Sequence, residues 1–248
     1  MLISCVMLTT ASRSRLRSAA LAALRDQVDV PRFELIVVTD DDDPVTARQI
    51  TQAISYTAVK VTVYKRAAWR SLSEKRNVAC AFARGDWLTF WDDDDWSAPT
   101  RLRGTADTIE AYKDAEMIGV RQMLWHELVG PTRHTIEYVA PVPGYVVGGT
   151  LTFRSRVLQQ HPFENIAGDE GWWTLKRHEE GRVLVPIWFP YVAMIHGGNT
   201  ANPRNFRVNE QTGQVHDGVE FTLRRGGREV VREIMGNDAL ARFEAAVA

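Results

Sequence analysis

The sequence has little cysteine, almost no net charge and no long hydrophobic run. Its two cysteines, Cys5 and Cys80, lie among apolar neighbours, which excludes a disulfide framework or a cysteine-rich zinc site and reads as two buried thiols. The formal net charge is −1, from 30 Lys+Arg against 31 Asp+Glu, so no bulk attraction to nucleic acid or anionic membrane follows. No apolar stretch approaches the length of a bilayer span, so no integral membrane segment is expected. Residues 2–8 are too few for a secretory signal and lack its basic start and cleavage site. A cytoplasmic location is the expectation, with peripheral membrane contact left open. Internal repeats, low-complexity tracts and linkers are also missing. The 248 residues, 45% hydrophobic and 25% charged, therefore read as one globular domain spanning 1–248.

The first two-thirds alternate between strand and helix patterns. Apolar runs at 2–8, 33–38, 59–64 and 87–91 predict four strands. Between the first two, Leu16, Ala20, Leu24 and Val28 recur four apart and predict a helix over 12–27. Pro44 suits the first turn of a helix to about 56. Ser71 and Glu74 have capping-box spacing for a helix ending near Gly85. Beyond Pro99 a helix is predicted to 113, strands at 117–124, 135–139 and 150–153, a helix at 169–180, a strand at 183–188 and a helix at 229–246. The Gly- and Asn-rich stretch 196–218 reads as a loop. Strands alternating with helices predict an α/β fold, a Rossmann-like doubly wound sheet.

Two acidic quartets carry the chemistry. Asp40, Asp41, Asp42 and Asp43 follow the second strand, and Asp92, Asp93, Asp94 and Asp95 follow the fourth. In an open α/β sheet the carboxyl ends of the strands form the ligand crevice. Four adjacent carboxylates repel one another unless donors or a cation compensate. A hard divalent cation satisfies them, and such ions combine one or two carboxylates with phosphate oxygens. The competing role is capping, since Pro44 and Pro99 follow the quartets and each can open a helix.

The segment from Gly85 through the quartet to Pro99 and Leu102 resembles the central motif of family 2 glycosyltransferases with the GT-A fold. Three further segments agree in order. Residues 4–13 resemble the first strand and nucleotide-base loop, although Thr9-Thr10-Ala11-Ser12-Arg13 departs from the family's Pro-Thr-Tyr-Asn-Arg. Val37-Val38-Thr39-Asp40 resembles the second strand, without the usual Asp-Asp-Gly-Ser. Ser73-Glu74-Lys75-Arg76-Asn77 resembles the Ser-x-x-Arg-Asn segment. The similarity covers 1–105 well, so this half is expected to bind the nucleotide sugar and 106–248 the acceptor.

The resemblance implies a GT-A mixed sheet and a metal-dependent, inverting transfer from a nucleotide-diphosphate sugar, a UDP-sugar by preference, with Mn²⁺ or Mg²⁺. Thr9, Asp40, Asp41, Arg76, Asp92 and Asp93 would bind the donor, and Asp94 and His196 the metal. Arg76 would help to stabilise charge on the leaving diphosphate. Gly168-Asp169-Glu170-Gly171-Trp172-Trp173 resembles the acceptor-side triplet. Glu170 is the expected base, with Asp169 the alternative, because the acceptor hydroxyl must lose its proton as it attacks. Trp172 and Trp173 are candidates to pack under a sugar ring. The acceptor is open among a glycan, a lipid-linked sugar, a protein, a small molecule and a modified DNA base. Arg204, Arg207, Arg224, Arg225, Arg228 and Arg232 are a candidate basic face or a solvated surface. Two rivals stand beside this reading. A nucleotidyltransferase would carry a Gly-rich phosphate loop with a Lys, which is missing near the first strand. A non-catalytic nucleotide- or carbohydrate-binding module would bind without turnover.

Overall fold

The computed structural model describes residues 1–55, 58–130, 133–140, 142–164, 170–199, 221–224 and 227–248. The chain opens with β1 (Ile3–Leu8), a single 3₁₀ turn (Ala11–Arg13), α1 (Ser14–Arg25), β2 (Phe33–Asp40), α2 (Ala47–Ile54), β3 (Lys60–Arg66), α3 (Leu72–Ala81) and β4 (Trp87–Phe90). It continues with β5 (Trp96–Ser97), α4 (Arg101–Ala111), β6 (Met117–Val120), β7 (Gln122–Glu127), β8 (Thr135–Val139), β9 (Thr152–Arg154) and α5 (Ser155–Gln160). The last elements are α6 (Glu170–Glu179), β10 (Leu184–Ile187), β11 (Tyr191–Ile195), β12 (Phe221–Arg224), α7 (Gly227–Met235) and α8 (Asn237–Val247).

Seven strands form one sheet in the order β10-β6-β9-β4-β1-β2-β3. β3, β2, β1 and β4 run parallel, and β9 is antiparallel to both β4 and β6. The sheet is therefore mixed. β1 and β2 read as continuous apolar runs because helices cover both faces, and five of the six β1 residues are buried. The order reverses at β1, which places a crevice at the carboxyl ends of β1, β2 and β4.

A second sheet, β12-β8-β7-β11-β5, was not foreseen from the periodicity. The predicted strand 117–124 is two strands: β6 belongs to the first sheet and β7 to the second, and the chain changes sheets at Arg121. The polar pair Arg121-Gln122 interrupts the run there, but periodicity cannot show that the strands on its two sides join different sheets. β11 lies parallel to β7 and antiparallel to the two-residue β5, so the segment just after the second acidic quartet is stitched to the strand that leads into His196.

Local chemistry moves several boundaries. α2 starts after Thr46 rather than at Pro44. The Thr46 hydroxyl accepts from the Gln49 amide while the Gln49 side chain accepts from the Thr46 amide. Ser71 caps α3 by accepting from the Glu74 amide at 3.1 Å, but the Glu74 carboxylate turns out to Arg70 and Arg66, and the helix stops at Ala81 rather than near Gly85. The predicted helix 229–246 is two helices, broken at Gly236, whose φ of +83° suits a glycine. Val28, the last residue of the predicted α1 stripe, lies past the helix and is exposed. Cys5 and Cys80 are both buried, and burial pushes each thiol up to about 12. Among the described residues no helix is long and apolar enough to cross a membrane.

Candidate functional site

The two acidic quartets have different fates. Asp43, after β2, is a structural anchor. Its carboxylate forms an ion pair with Arg17 of α1, accepts from the Thr39 hydroxyl at 2.7 Å and caps the Val45 amide at 3.0 Å. These donors hold its carboxyl below the usual range despite its burial. Asp41 and Asp42 point to solvent. Asp40 faces the crevice, where the Lys75 ammonium donates to its carboxylate at 3.1 Å and to the Thr9 carbonyl at 2.6 Å. One lysine from α3 thus ties the ends of β1 and β2 together, at the place where Thr9 and Asp40 were expected to meet a nucleoside. The structure gives Asp40, and not Asp41, a partner there.

The second quartet lies just beyond β4. Arg13, from the turn after β1, donates to Asp93 Oδ1 and approaches Asp94 Oδ2, both at 3.0 Å. Its other terminal nitrogen donates to the Gly198 carbonyl at 2.8 Å. His196, at the end of β11, places Nε2 3.0 Å from Asp94 Oδ2. The His196 amide donates to Asn199 Oδ1 at 2.8 Å, and Asn199 donates to the Met194 carbonyl at 2.6 Å, which folds the start of the following loop back on β11. Arg13 entered the sequence analysis only as part of a motif. Its 80-residue separation from Asp93 hid the pairing.

Asp92 and Asp95 face the second sheet. The Tyr191 hydroxyl is 2.5 Å from Asp95 Oδ2 and 3.3 Å from Asp92 Oδ2, and Asp95 Oδ1 accepts from the Met194 amide at 2.8 Å. Tyr191 has one proton, so the shorter contact, to Asp95, is its donated bond. Beneath lies Arg101, buried, donating to the carbonyls of Phe90 and Gly149 and to the Ser97 and Thr89 hydroxyls. Its guanidinium also stacks 4.7 Å from the Trp91 ring. Arg101 therefore clamps the end of β4 to the 148–150 turn, and nothing in the spacing of α4 announces this.

The crowding sets the electrostatics. Burial, then Asp94 and Glu170, push Asp92 up to about 7. Burial and Asp94 push Asp93 up to about 6 against the pull of Arg13. Burial, then Asp94 and Asp92, hold Asp95 well above the carboxylate range. For Arg13, burial opposes the charge, but Asp94 and Asp93 outweigh it and raise the guanidinium above its ordinary value. Among the described residues Asp93 Oδ2 is buried and has no hydrogen-bond partner. An uncompensated buried carboxylate oxygen is a place for a cation or a donor group.

Glu170 opens α6 and is buried in an ion pair with Arg76 of α3. Asp169 lies outside the described residues. Arg76 spends its charge on the candidate base rather than on the open crevice. A Cβ at Gly148 would stand 2.6 Å from Glu170 Oε2, and one at Gly149 would stand 2.2 Å from Asp92 Oδ2 and 2.1 Å from the Tyr191 oxygen. The two glycines are thus the floor on which Glu170 and Asp92 approach each other. Of the paired tryptophans, Trp173 is 7% exposed and donates to the His161 carbonyl, whereas Trp172 is 52% exposed beside Glu170. Only Trp172 is free to meet a ligand. In the tail, Arg228 pairs with Glu244, while Arg204, Arg207 and Arg225 lie outside the described residues.

Among the described residues no three His, Cys, Asp or Glu side chains form a metal cage. Asp94 and His196 are nevertheless two converging donors, with the orphaned Asp93 oxygen beside them. That set fits an ion which takes its remaining ligands from substrate phosphate and water, not one enclosed by protein.

Residues 4–163 match the family described as Glycosyl transferase family 2. The chain belongs to that family. An uncharacterized glycosyltransferase of Haemophilus influenzae is 33% identical over 100 residues, which is 40% of this chain and 32% of the relative. Among solved structures, S. aureus TarS 1-349 in complex with UDP-GlcNAc superimposes with a TM-score of 0.62 at 19% identity, covering 81% of this chain and 60% of that one. The mannosyltransferase PcManGT from Pyrobaculum calidifontis, in complex with GDP-Man and Mn²⁺, gives 0.62 at 15% identity, with 80% and 58% covered. These likenesses establish the GT-A, Rossmann-like fold of this family 2 chain. The chain spans about a third of the length of the curated relative and about three-fifths of these structures.

Proposed function

We propose that this family 2 chain is a metal-dependent, inverting glycosyltransferase that moves a sugar from a nucleotide-diphosphate donor, a UDP-sugar by preference, to an acceptor hydroxyl. The observation that carries the reading is the convergence at one crevice of Asp92, Asp93 and Asp94 from β4, Arg13 from β1 and His196 from β11, with Glu170 across the Gly148–Gly149 floor. The UDP-GlcNAc bound to TarS and the GDP-Man and Mn²⁺ bound to PcManGT support the donor class.

In this reading Thr9 and Asp40 hold the nucleoside, with Lys75 fixing both. Asp92 meets the ribose or donor sugar, Asp93 lines the same wall, and Asp94 and His196 hold Mn²⁺ or Mg²⁺. The cation, when bound, neutralises charge that grows on the departing diphosphate. Arg13 supplies a further positive charge at the same wall. The acceptor oxygen attacks the anomeric carbon on the face opposite the diphosphate. The bond from that carbon to the diphosphate oxygen breaks, the nucleoside diphosphate leaves with the electron pair, and the hydroxyl proton passes to Glu170. Arg76 keeps Glu170 pointed at the acceptor side, and Trp172 offers an aromatic face to the acceptor.

The test is thermal stability against UDP, GDP, CDP and dTDP, each with Mn²⁺, Mg²⁺ or neither, followed by product analysis with the sugar donor that the best nucleotide names. Ligand at ~100 times its dissociation constant adds about 2.7 kcal/mol by linkage. A metal-dependent shift with one diphosphate, and release of that diphosphate on transfer, is expected. No shift in a folded sample refutes the reading. Pyrophosphate release from a triphosphate would identify a nucleotidyltransferase instead, and binding without turnover, unchanged in Glu170→Gln, a non-catalytic module.

A further inference from the structure

A groove of about 430 Å³ runs between α4 and β10, at the opposite edge of the seven-stranded sheet from β3. Thr100, Gly104, Asp107 and Tyr112 line it on the helix side, and Pro186 and Trp188 on the strand side. None of these residues has a part in the proposed transfer. Trp188, just past the end of β10, is 75% exposed and Tyr112, at the end of α4, is 52% exposed, so an aromatic side chain stands in water on each side of the groove. Leaving an indole so exposed forgoes the burial that normally stabilises it.

Gly104 adds a second, independent observation. It sits inside α4, where glycine costs roughly 1 kcal/mol relative to alanine. A Cβ there would meet nothing within 4 Å. Packing therefore does not require the glycine, and its effect is to leave the groove floor open. The helix gives up stability to keep that space.

The occupant follows from size, charge and edge chemistry. The volume lies in the range of small-ligand sites, roughly 300–1,000 Å³. One helix face and one short strand supply far less than the roughly 800 Å² per partner that a stable protein interface needs. β10 is an edge strand, and Pro186 removes a backbone donor there, which disfavours strand pairing with a second copy of the chain. Among the described residues Asp107 is the one charged side chain lining the groove, and it is paired with Arg103 at 2.9 Å. A phosphorylated or acidic ligand finds no cation in that lining. A neutral ligand with apolar ring faces and a fringe of hydroxyls suits aromatic rims beside threonine hydroxyls and a carboxylate.

We infer that the α4–β10 groove is a glycan-binding site separate from the catalytic crevice, taking a neutral hexopyranose chain stacked on Trp188 and Tyr112. Such a site would hold a polymeric saccharide against the enzyme while its end, or another molecule, occupies the crevice.

Isothermal titration calorimetry of the full chain with neutral hexasaccharides of glucose, mannose and N-acetylglucosamine tests this without any use of catalysis. At least one probe is expected to bind at millimolar concentration or better. Trp188→Ala should weaken that binding about tenfold or more. Gly104→Gln should abolish it while raising the melting temperature, because it fills the floor with a better helix former. Neither variant should change the metal-dependent shift with nucleoside diphosphate, so failure here is distinct from failure of the transferase reading. Three results overturn the inference: no probe binds; binding persists in both variants and is lost in Trp172→Ala; or Trp188→Ala converts a dimer to a monomer in sedimentation, which would make the groove a contact between copies.

Discussion

Replacing Gly149 by alanine tests the placement of Asp92 most directly. The new Cβ would lie 2.2 Å from Asp92 Oδ2 and 2.1 Å from the Tyr191 oxygen, where ordinary contact begins at 3.4 Å. Asp92 and Tyr191 must therefore retreat by ~1.2 Å or more, and a misplacement of about 1 Å in a catalytic constellation costs on the order of 10²-fold in rate. Neither neighbour yields easily. Tyr191 is fixed to Asp95 at 2.5 Å, and the Gly149 carbonyl is held by the buried Arg101 at 2.9 Å. Overpacking at such a site costs roughly 1–3 kcal/mol of stability. The assay is steady-state transfer with the nucleotide sugar, together with calorimetric binding of the free nucleoside diphosphate. Gly149→Ala should lower kcat ~100-fold; diphosphate binding then separates the two partners proposed for Asp92, changing little if it meets the donor sugar and weakening if it meets the ribose. Tyr191→Phe removes one of the two obstructing oxygens, so adding Gly149→Ala to it should cost clearly less than in the parent, giving a non-additive double-mutant cycle. A Gly149→Ala enzyme with parental kcat and melting temperature would refute this placement of Asp92.

Glu170→Gln should lower transfer by ~10²–10⁴-fold while leaving nucleotide binding near parental, as measured by single-turnover kinetics and calorimetry. Asp94→Asn should weaken Mn²⁺ binding in the presence of nucleoside diphosphate by at least about tenfold, read by electron paramagnetic resonance; unchanged affinity would remove Asp94 from the metal site. His126 predicts an acid limb in stability. The Thr135 hydroxyl donates to the Gly227 carbonyl at 2.7 Å, so it accepts from His126 Nδ1–H at 2.9 Å, and Nε2 is buried without a partner among the described residues. Burial lowers this imidazole to about 4 from 6.5. The unfolded chain thus binds a proton between these values that the folded chain refuses. Stability is full above pH 6.5 and falls as the pH drops toward 4, by at most ~3 kcal/mol. Urea titrations from pH 7.5 to 4.5 should show this loss, and His126→Leu should flatten it.

Much of the crevice was legible because its carrier is local. A buried strand reads as an apolar run whatever its neighbours, and an aspartate run after β4 marks the end of that strand as the place where charge gathers. Ser71 capping Glu74 is a contact over three residues, and it appears in the structure as the spacing predicts. The start of α2 differed from the prediction because the reciprocal bonds between Thr46 and Gln49 decide where that helix begins, and α3 stops at Ala81 because the amides of Phe82 and Ala83 close a tight last turn on the carbonyls of Ala79 and Cys80. The second sheet was not legible, because the polar pair Arg121-Gln122 marks a break within 117–124 but says nothing of which sheet each strand joins.

By itself the sequence determined the alternation of strands and helices, the family resemblance through residue 105 and the presence of two acidic quartets at strand ends. Only the tertiary structure decided what each carboxylate does. Asp43 and Asp93 are alike in sequence, but Arg17 reaches one from 26 residues away and Arg13 reaches the other from 80. Asp94 meets His196 across 102 residues, and Asp95, its neighbour, turns instead to Tyr191. The physical reason is range. Propensity and periodicity act over a few residues, whereas the role of a charge is fixed by whichever partner the fold brings within about 3 Å of it, where Coulomb attraction and hydrogen bonding are strong enough to choose.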